Sequence, residues 1–186
     1  KSIRMKYVLM TTAFGNRDLS GILAQIPNAF IVTDYRHDAM GNFLNAISYT
    51  DDAFVLLEDD AELCNDFCSR IEDAISQYPD TMINFFSLRK IDYEKGEPFH
   101  VSGGRYLGNV CVYFPKGFGV AIADFYKEWS GKIENPTGND LLVADWLKSK
   151  GLKYIQWFPH LVNHKVGKSL IDPRRSSKRT DNRFQK

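Results

Sequence analysis

An apolar run, Ala53-Phe54-Val55-Leu56-Leu57, passes without a break into three acids, Glu58-Asp59-Asp60. A run this short and this apolar reads as a strand buried on both faces, as in a parallel sheet covered by helices. Carboxylates are too costly to leave in such an interior, so the strand must deliver all three to the rim of the sheet. In open α/β sheets that rim, at the carboxyl ends of the strands, is where ligands bind. Crowded carboxylates repel one another unless donors or a cation compensate them, and a hard divalent cation suits oxygen ligands. The plain alternative is a solvated acidic turn.

The surrounding pattern supports a sheet of this kind. Lys6 to Met10 reads as a first strand, leaving through Thr11 and Thr12 to a turn at Gly15 and Asn16. Leu19, Leu23 and Ile26 stripe a short helix that Asn16 or Asp18 caps. Ala29 to Val32 is a second strand, and Met40, Phe43, Leu44 and Ile47 recur at helical spacing before the acid-bearing strand. The order β-α-β-α-β is that of a right-handed, parallel, Rossmann-like half. Beyond the acids, Phe67, Ile71, Ile75 and Tyr78 predict a helix ended by Pro79, and residues 82–88 predict a strand. Residues 89–105 read as a polar loop or hairpin over the site, 110–114 as a strand, 120–129 as a helix, 141–150 as a helix closed by Gly151, and 154–158 as the last strand.

The segment from Phe54 to Phe67, with its strand, its Glu58-Asp59-Asp60 triplet and its Asp66-Phe67 helix start, resembles the metal-site segment of GT-A-fold glycosyltransferases. The closest form is the EDD version of the D-x-D motif in N-acetylglucosaminyltransferases. The resemblance implies an α/β, Rossmann-like GT-A fold: a central, mostly parallel sheet flanked by helices, in a single domain. It implies that Asp60 binds Mn²⁺ or Mg²⁺, which holds the diphosphate of a nucleotide sugar, and that Glu58 and Asp59 face the nucleoside or organise the site through water. A second segment, Asn139-Asp140-Leu141-Leu142-Val143-Ala144-Asp145-Trp146-Leu147, is similar to the helix start that carries the catalytic base in inverting members. Asp140 is the favoured base and Asp145, which precedes Trp146, the competing choice. Asn139 stands where the common version has Glu. Asp140 also reads simply as a first-turn acid on the helix dipole.

A third segment, Pro159 to Leu170, resembles the C-terminal ending of several of these transferases. It implies that His164 is a second metal ligand or a phosphate donor. Asp34, at the end of the second strand, is placed to meet ribose or base. Thr11, Thr12 and Arg17 leave the first strand where the family contacts the nucleotide, although a simple turn explains them equally. Asn45, on the helix before the triplet strand, reads either as a nucleotide contact or as a solvated helix position. The glycines of a dinucleotide fingerprint and of a P-loop are missing.

The chain has 186 residues and a formal charge of +1, the size of one domain. The expected core spans residues 6–170, followed by a basic segment over 171–186. From Lys165 onward eight Lys and Arg face two Asp, so the rest of the chain is acidic and the tail suits an anionic partner unless it is merely solvated. Arg174, Arg175 and Lys178 are candidates to neutralise the leaving diphosphate. The three cysteines lack C-x-x-C spacing and are expected to be reduced thiols. No apolar run approaches the ~20 residues of a membrane span. No leader pattern is visible, so bacterial or host-cell cytosol is the expected location; the chain opens on Lys1 rather than Met, which keeps a trimmed leader open. The expected function is metal-dependent transfer of a sugar from a nucleotide-sugar donor, UDP-linked in preference to GDP-linked, to an acceptor hydroxyl, with inversion. The acceptor (glycan, glycolipid or modified nucleic acid) stays open. The alternatives are a nucleotidyltransferase and a nucleic-acid- or carbohydrate-binding module on the same fold.

Overall fold

The computed structural model describes residues 5–165 and Phe184. Its first half follows the apolar pattern. Strand β1 (Lys6–Thr12) leads through helix α1 (Ser20–Gln25) to β2 (Phe30–Asp34), then through α2 (Ala39–Ile47) to β3 (Phe54–Glu58). Asp18 accepts from the Ser20 backbone N–H before α1, and Asp38 caps α2 by accepting from Gly41 N. Both β2 and β3 pair with β1 in parallel, so β1 lies between its two successors.

The chain then makes β4 (Ala61–Leu63), α3 (Phe67–Gln77), β5 (Ile83–Asn84), α4 (Lys90–Tyr93), β6 (Phe99–Ser102), β7 (Cys111–Phe114), α5 (Phe118–Tyr126), α6 (Asn139–Ser149), β8 (Lys153–Gln156) and β9 (Val162–His164). The stretch 89–105 is therefore more than a loop: it holds α4 and β6, which pairs antiparallel with β8. The helix expected over 120–129 starts earlier, after Gly117 at φ 81, and ends at Tyr126.

Seven strands form one sheet in the order β2-β1-β3-β7-β5-β8-β6, and β4 and β9 form a separate pair. The expectation of a mostly parallel sheet is corrected here. The sheet is mixed, because β7 runs antiparallel between β3 and β5, with Tyr113 opposite both Val55 and Ile83. The sequence of a fully buried strand reads the same in either direction, so Val110 to Phe114 carries no sign of its reversal.

Strand alternation sorts the core into two layers. Leu9, Val55, Leu57, Cys111 and Tyr113 face α1 and α3, meeting Ile22, Ile26, Phe67 and Ile71. Val8, Met10, Phe54, Leu56, Val112 and Phe114 face α2, α5 and α6, meeting Phe43, Ile47, Ile122, Val143 and Leu147. The result is a helix–sheet–helix sandwich whose β1 and β3 both expose their carboxyl ends on one rim. Gly119 allows α5 to cross α2 closely: a Cβ there would lie 2.1 Å from Ile47 O.

Candidate functional site

The site is assembled where β1, β2 and β3 end together. The register sets Met10 beside Glu58 and Thr12 beside Asp34, so Thr11, Thr12, Asp34 and the three acids share one edge. A cavity of about 570 Å³ opens there, lined also by Arg17, His37, Asn42, Phe86, Leu88, Leu107, Asn109, Asp140 and His164 among others. That volume suits a small-molecule ligand. Among the described residues, five carboxylates (Asp34, Glu58, Asp59, Asp60, Asp140) line it against one permanent cation, Arg17.

The two aspartates of the triplet have different surroundings. Asp59 is buried. Its Oδ2 accepts from Thr11 Oγ1 at 2.8 Å and lies 3.5 Å from Arg17 Nε. Burial pushes its carboxyl above the ordinary value, against the pull of the Thr11 hydroxyl and the Arg17 guanidinium. Asp59 therefore belongs to the wall and fixes β1 and the turn after it.

Asp60 faces His164. The antiparallel β4–β9 pair sets Ala61 opposite His164, and Lys165 N donates to Asp60 O at 2.7 Å. His164 is 3% exposed, its Nδ1 is 2.7 Å from Lys165 O, and its Nε2 is 3.0 Å from Asp60 Oδ2. A carbonyl only accepts, so Nδ1 carries a hydrogen. Nε2 is left facing a carboxylate oxygen at contact distance, a pair that a proton or a cation between the two atoms holds together. Nitrogen and oxygen donors bind divalent ions at about 2.1 Å, so two neighbouring ligands at a right angle stand about 3.0 Å apart. A ring Nδ1–H held by a backbone carbonyl is also the usual support of a metal-binding histidine. The residues fit a divalent cation. Among the described residues no group of three or more His, Cys, Asp or Glu closes around one point. A cation here would therefore take further ligands from whatever the cavity holds, as Mg²⁺ does with substrate phosphates.

At the edge formed by β1 and β2, Thr12 Oγ1 accepts from Phe14 N and Asp34 Oδ1 accepts from Arg36 N, so both residues shape their turns. Phe14 and His37 stack with ring centroids 3.4 Å apart. On the far side, Asp140 sits in the first turn of α6, where its Oδ1 accepts from Leu141 N at 3.0 Å. The helix start is fixed by a relay: Tyr106 OH donates to Asn109 Oδ1, and Asn109 Nδ2 donates to Asn139 Oδ1 at 3.1 Å. Asn84 Nδ2 holds the 107–108 backbone through the Leu107 and Gly108 carbonyls.

Thr11, Thr12, Arg17, Asp34, Glu58, Asp59, Asp60, Asp140 and His164 are thus brought to one cavity. Asn45 and Asp145 are not. Asn45 is exposed on α2 away from the lining. Asp145 is exposed on α6 and accepts from Trp129 Nε1 at 2.8 Å. Arg174, Arg175 and Lys178 lie outside the described residues. On α2 it is Asn42, not the expected Asn45, that lines the cavity. It lies one turn before Asn45, nearer the rim, and its Nδ2 donates to Thr11 O at 3.1 Å. Asn109 and Leu107 stand in a loop and carry no sequence signal.

No protein-family model matches the chain, and no curated protein matches it. Among solved structures, the fold is similar to that of A197 from STIV. The TM-score is 0.52 at 12% identity, over 88% of this chain and 87% of that one. At that identity the likeness is one of fold: an α/β architecture with a mixed central sheet flanked by helices.

Proposed function

We propose that the chain is a metal-dependent glycosyltransferase that moves a sugar from a nucleotide-sugar donor, UDP-linked in preference, to an acceptor hydroxyl with inversion at the sugar carbon. The observation that carries this reading is the meeting of Asp60 Oδ2 and His164 Nε2 at 3.0 Å on the rim of an acid-lined cavity. Asp60 and His164 would hold Mn²⁺ or Mg²⁺. When bound, such an ion supplies positive charge to the donor's diphosphate and to the charge that grows as it leaves. Asp59, tied to Thr11 and Arg17, keeps the turn after β1 in place beside the nucleoside. Asp34 suits a ribose hydroxyl, and the flat Phe14–His37 stack beside it suits a base.

Asp140 serves as the general base. The acceptor oxygen attacks the anomeric carbon, the bond from that carbon to the diphosphate oxygen breaks, and its electron pair leaves with the nucleoside diphosphate. The acceptor's proton passes to Asp140 Oδ2, because Oδ1 is engaged by Leu141 N. Thermal melting tests the reading. UDP and Mn²⁺ together are expected to raise the melting temperature more than the sum of either alone, with a gain of about 2.7 kcal/mol at a hundredfold excess over Kd. Asp60→Ala is expected to remove that gain. Stabilisation by polyanions with no response to UDP and Mn²⁺ would favour a binding module instead.

A further inference from the structure

The two halves of the cavity differ in chemistry. The half around β1 to β3 is acidic and polar. The other is walled by Phe86, Leu88, Leu107 and Val110. Leu88 and Leu107 line the cavity and still keep 43% and 44% of their surface exposed, so both stand at its mouth. The polar side chains between them are turned into the protein. Ser87 Oγ donates to Asp92 Oδ2 at 2.5 Å and accepts from Arg89 N. Asn109 is spent on Tyr106 and Asn139. Arg89 is directed at Tyr154, and among the described residues this half of the lining holds no Lys or Arg. Among the described residues, the charged group of this half is Asp140, with Thr137 and Asn139 beside it in the lining. A free glycan is held by many directed hydrogen bonds, and a polyphosphate or nucleic acid by cations. The described wall offers neither in number. It offers apolar surface leading to one carboxylate.

We infer that the acceptor is an amphipathic molecule: its hydroxyl meets Asp140, and an uncharged alkyl tail lies across Leu88 and Leu107. The role of the hydroxyl rests on the transferase reading above; the seat for the tail stands without it. The test uses the full chain with UDP and Mn²⁺ present. Octyl β-D-glucopyranoside below its micelle concentration, methyl β-D-glucopyranoside and a single-stranded oligonucleotide are titrated in turn by calorimetry. The octyl glycoside is expected to bind about tenfold or more tightly than the methyl glycoside, the worth of two buried methylenes. In the Leu88→Gln/Leu107→Gln double variant the octyl affinity should fall to the methyl level while the melting shift from UDP and Mn²⁺ is kept. Since both leucines are exposed, the double variant is expected to fold. Equal affinities, an octyl preference that survives the double variant, or tighter binding of the oligonucleotide would overturn the inference. Absence of any octyl preference in the unsubstituted chain, with an intact UDP response, removes the acceptor assignment alone. An octyl preference without any UDP response removes the transferase reading and leaves an alkyl-binding cavity.

Discussion

Asp59 and Asp60 are neighbours in the chain with different work to do, and the protein's own atoms decide which does what. Asp59 is turned to Thr11 and Arg17, and Asp60 to His164. Thr11→Val keeps the shape of the wall but leaves the buried carboxylate without its hydroxyl donor, and about 1–3 kcal/mol of stability is expected to go, measured by chemical denaturation. The two candidate bases separate in the same way. Asp140→Asn is expected to keep the UDP and Mn²⁺ melting shift and to lower kcat about 100-fold or more. Asp145→Ala is expected to transfer normally yet lose about 1 kcal/mol, because the buried Trp129 indole N–H loses its acceptor. A transfer defect in Asp145→Ala would move the base. Both acids stand out in the sequence, and helix geometry separates them: five residues turn Asp145 about 140° around α6 from Asp140. Asn45 loses its place to Asn42 for a similar reason, since one turn along α2 takes it away from the rim.

Among the elements, β1 to β3 with α1 and α2 were readable because apolar runs alternate with amphipathic spacing there and parallel crossovers have one hand. The reversal of β7 was not, because Cys111 to Phe114 are buried on both faces and the sequence of such a strand holds no direction. The β4–β9 pair was hidden for another reason. Each strand is three residues long, too short for a period, and what brings them together is a contact across about a hundred positions of chain. That pair is what carries His164 to Asp60, so the chemistry of the site depends on the element the sequence concealed most fully. The packing of helices on the sheet gives an independent check. Gly119→Ala sets a Cβ 2.1 Å from a backbone carbonyl in α2, and backbone gives way at a high cost. A loss of about 2 kcal/mol or more is expected in denaturant melts. An unchanged midpoint would mean that α5 and α2 do not cross so closely.

For the whole molecule, two core layers on one sheet make burial, rather than surface charge, the source of stability, and burial leaves a mark on its tyrosines. Tyr7, Tyr106, Tyr113 and Tyr154 all have hydroxyl pKa values raised chiefly by desolvation, that of Tyr154 to about 12. A raised pKa means that between about 10 and 12 the folded state holds protons the unfolded chain has lost, so stability falls with rising pH there. Unfolding free energy should be insensitive to these groups below pH 9 and drop from about pH 10 upward; a flat profile to pH 12 would mean that these rings are solvated. Among the described residues no helix is long and apolar enough to cross a membrane. At this scale the proposed activity depends on one cation held between the sheet rim and a nucleotide's phosphates. Crystals soaked in Mn²⁺ and UDP, with diffraction collected at the manganese edge, test that most directly. The expected result is an anomalous peak within bonding distance of Asp60 Oδ2 and His164 Nε2 and of the diphosphate. A rim with no peak, or a peak bound elsewhere while UDP sits in the cavity, would contradict it.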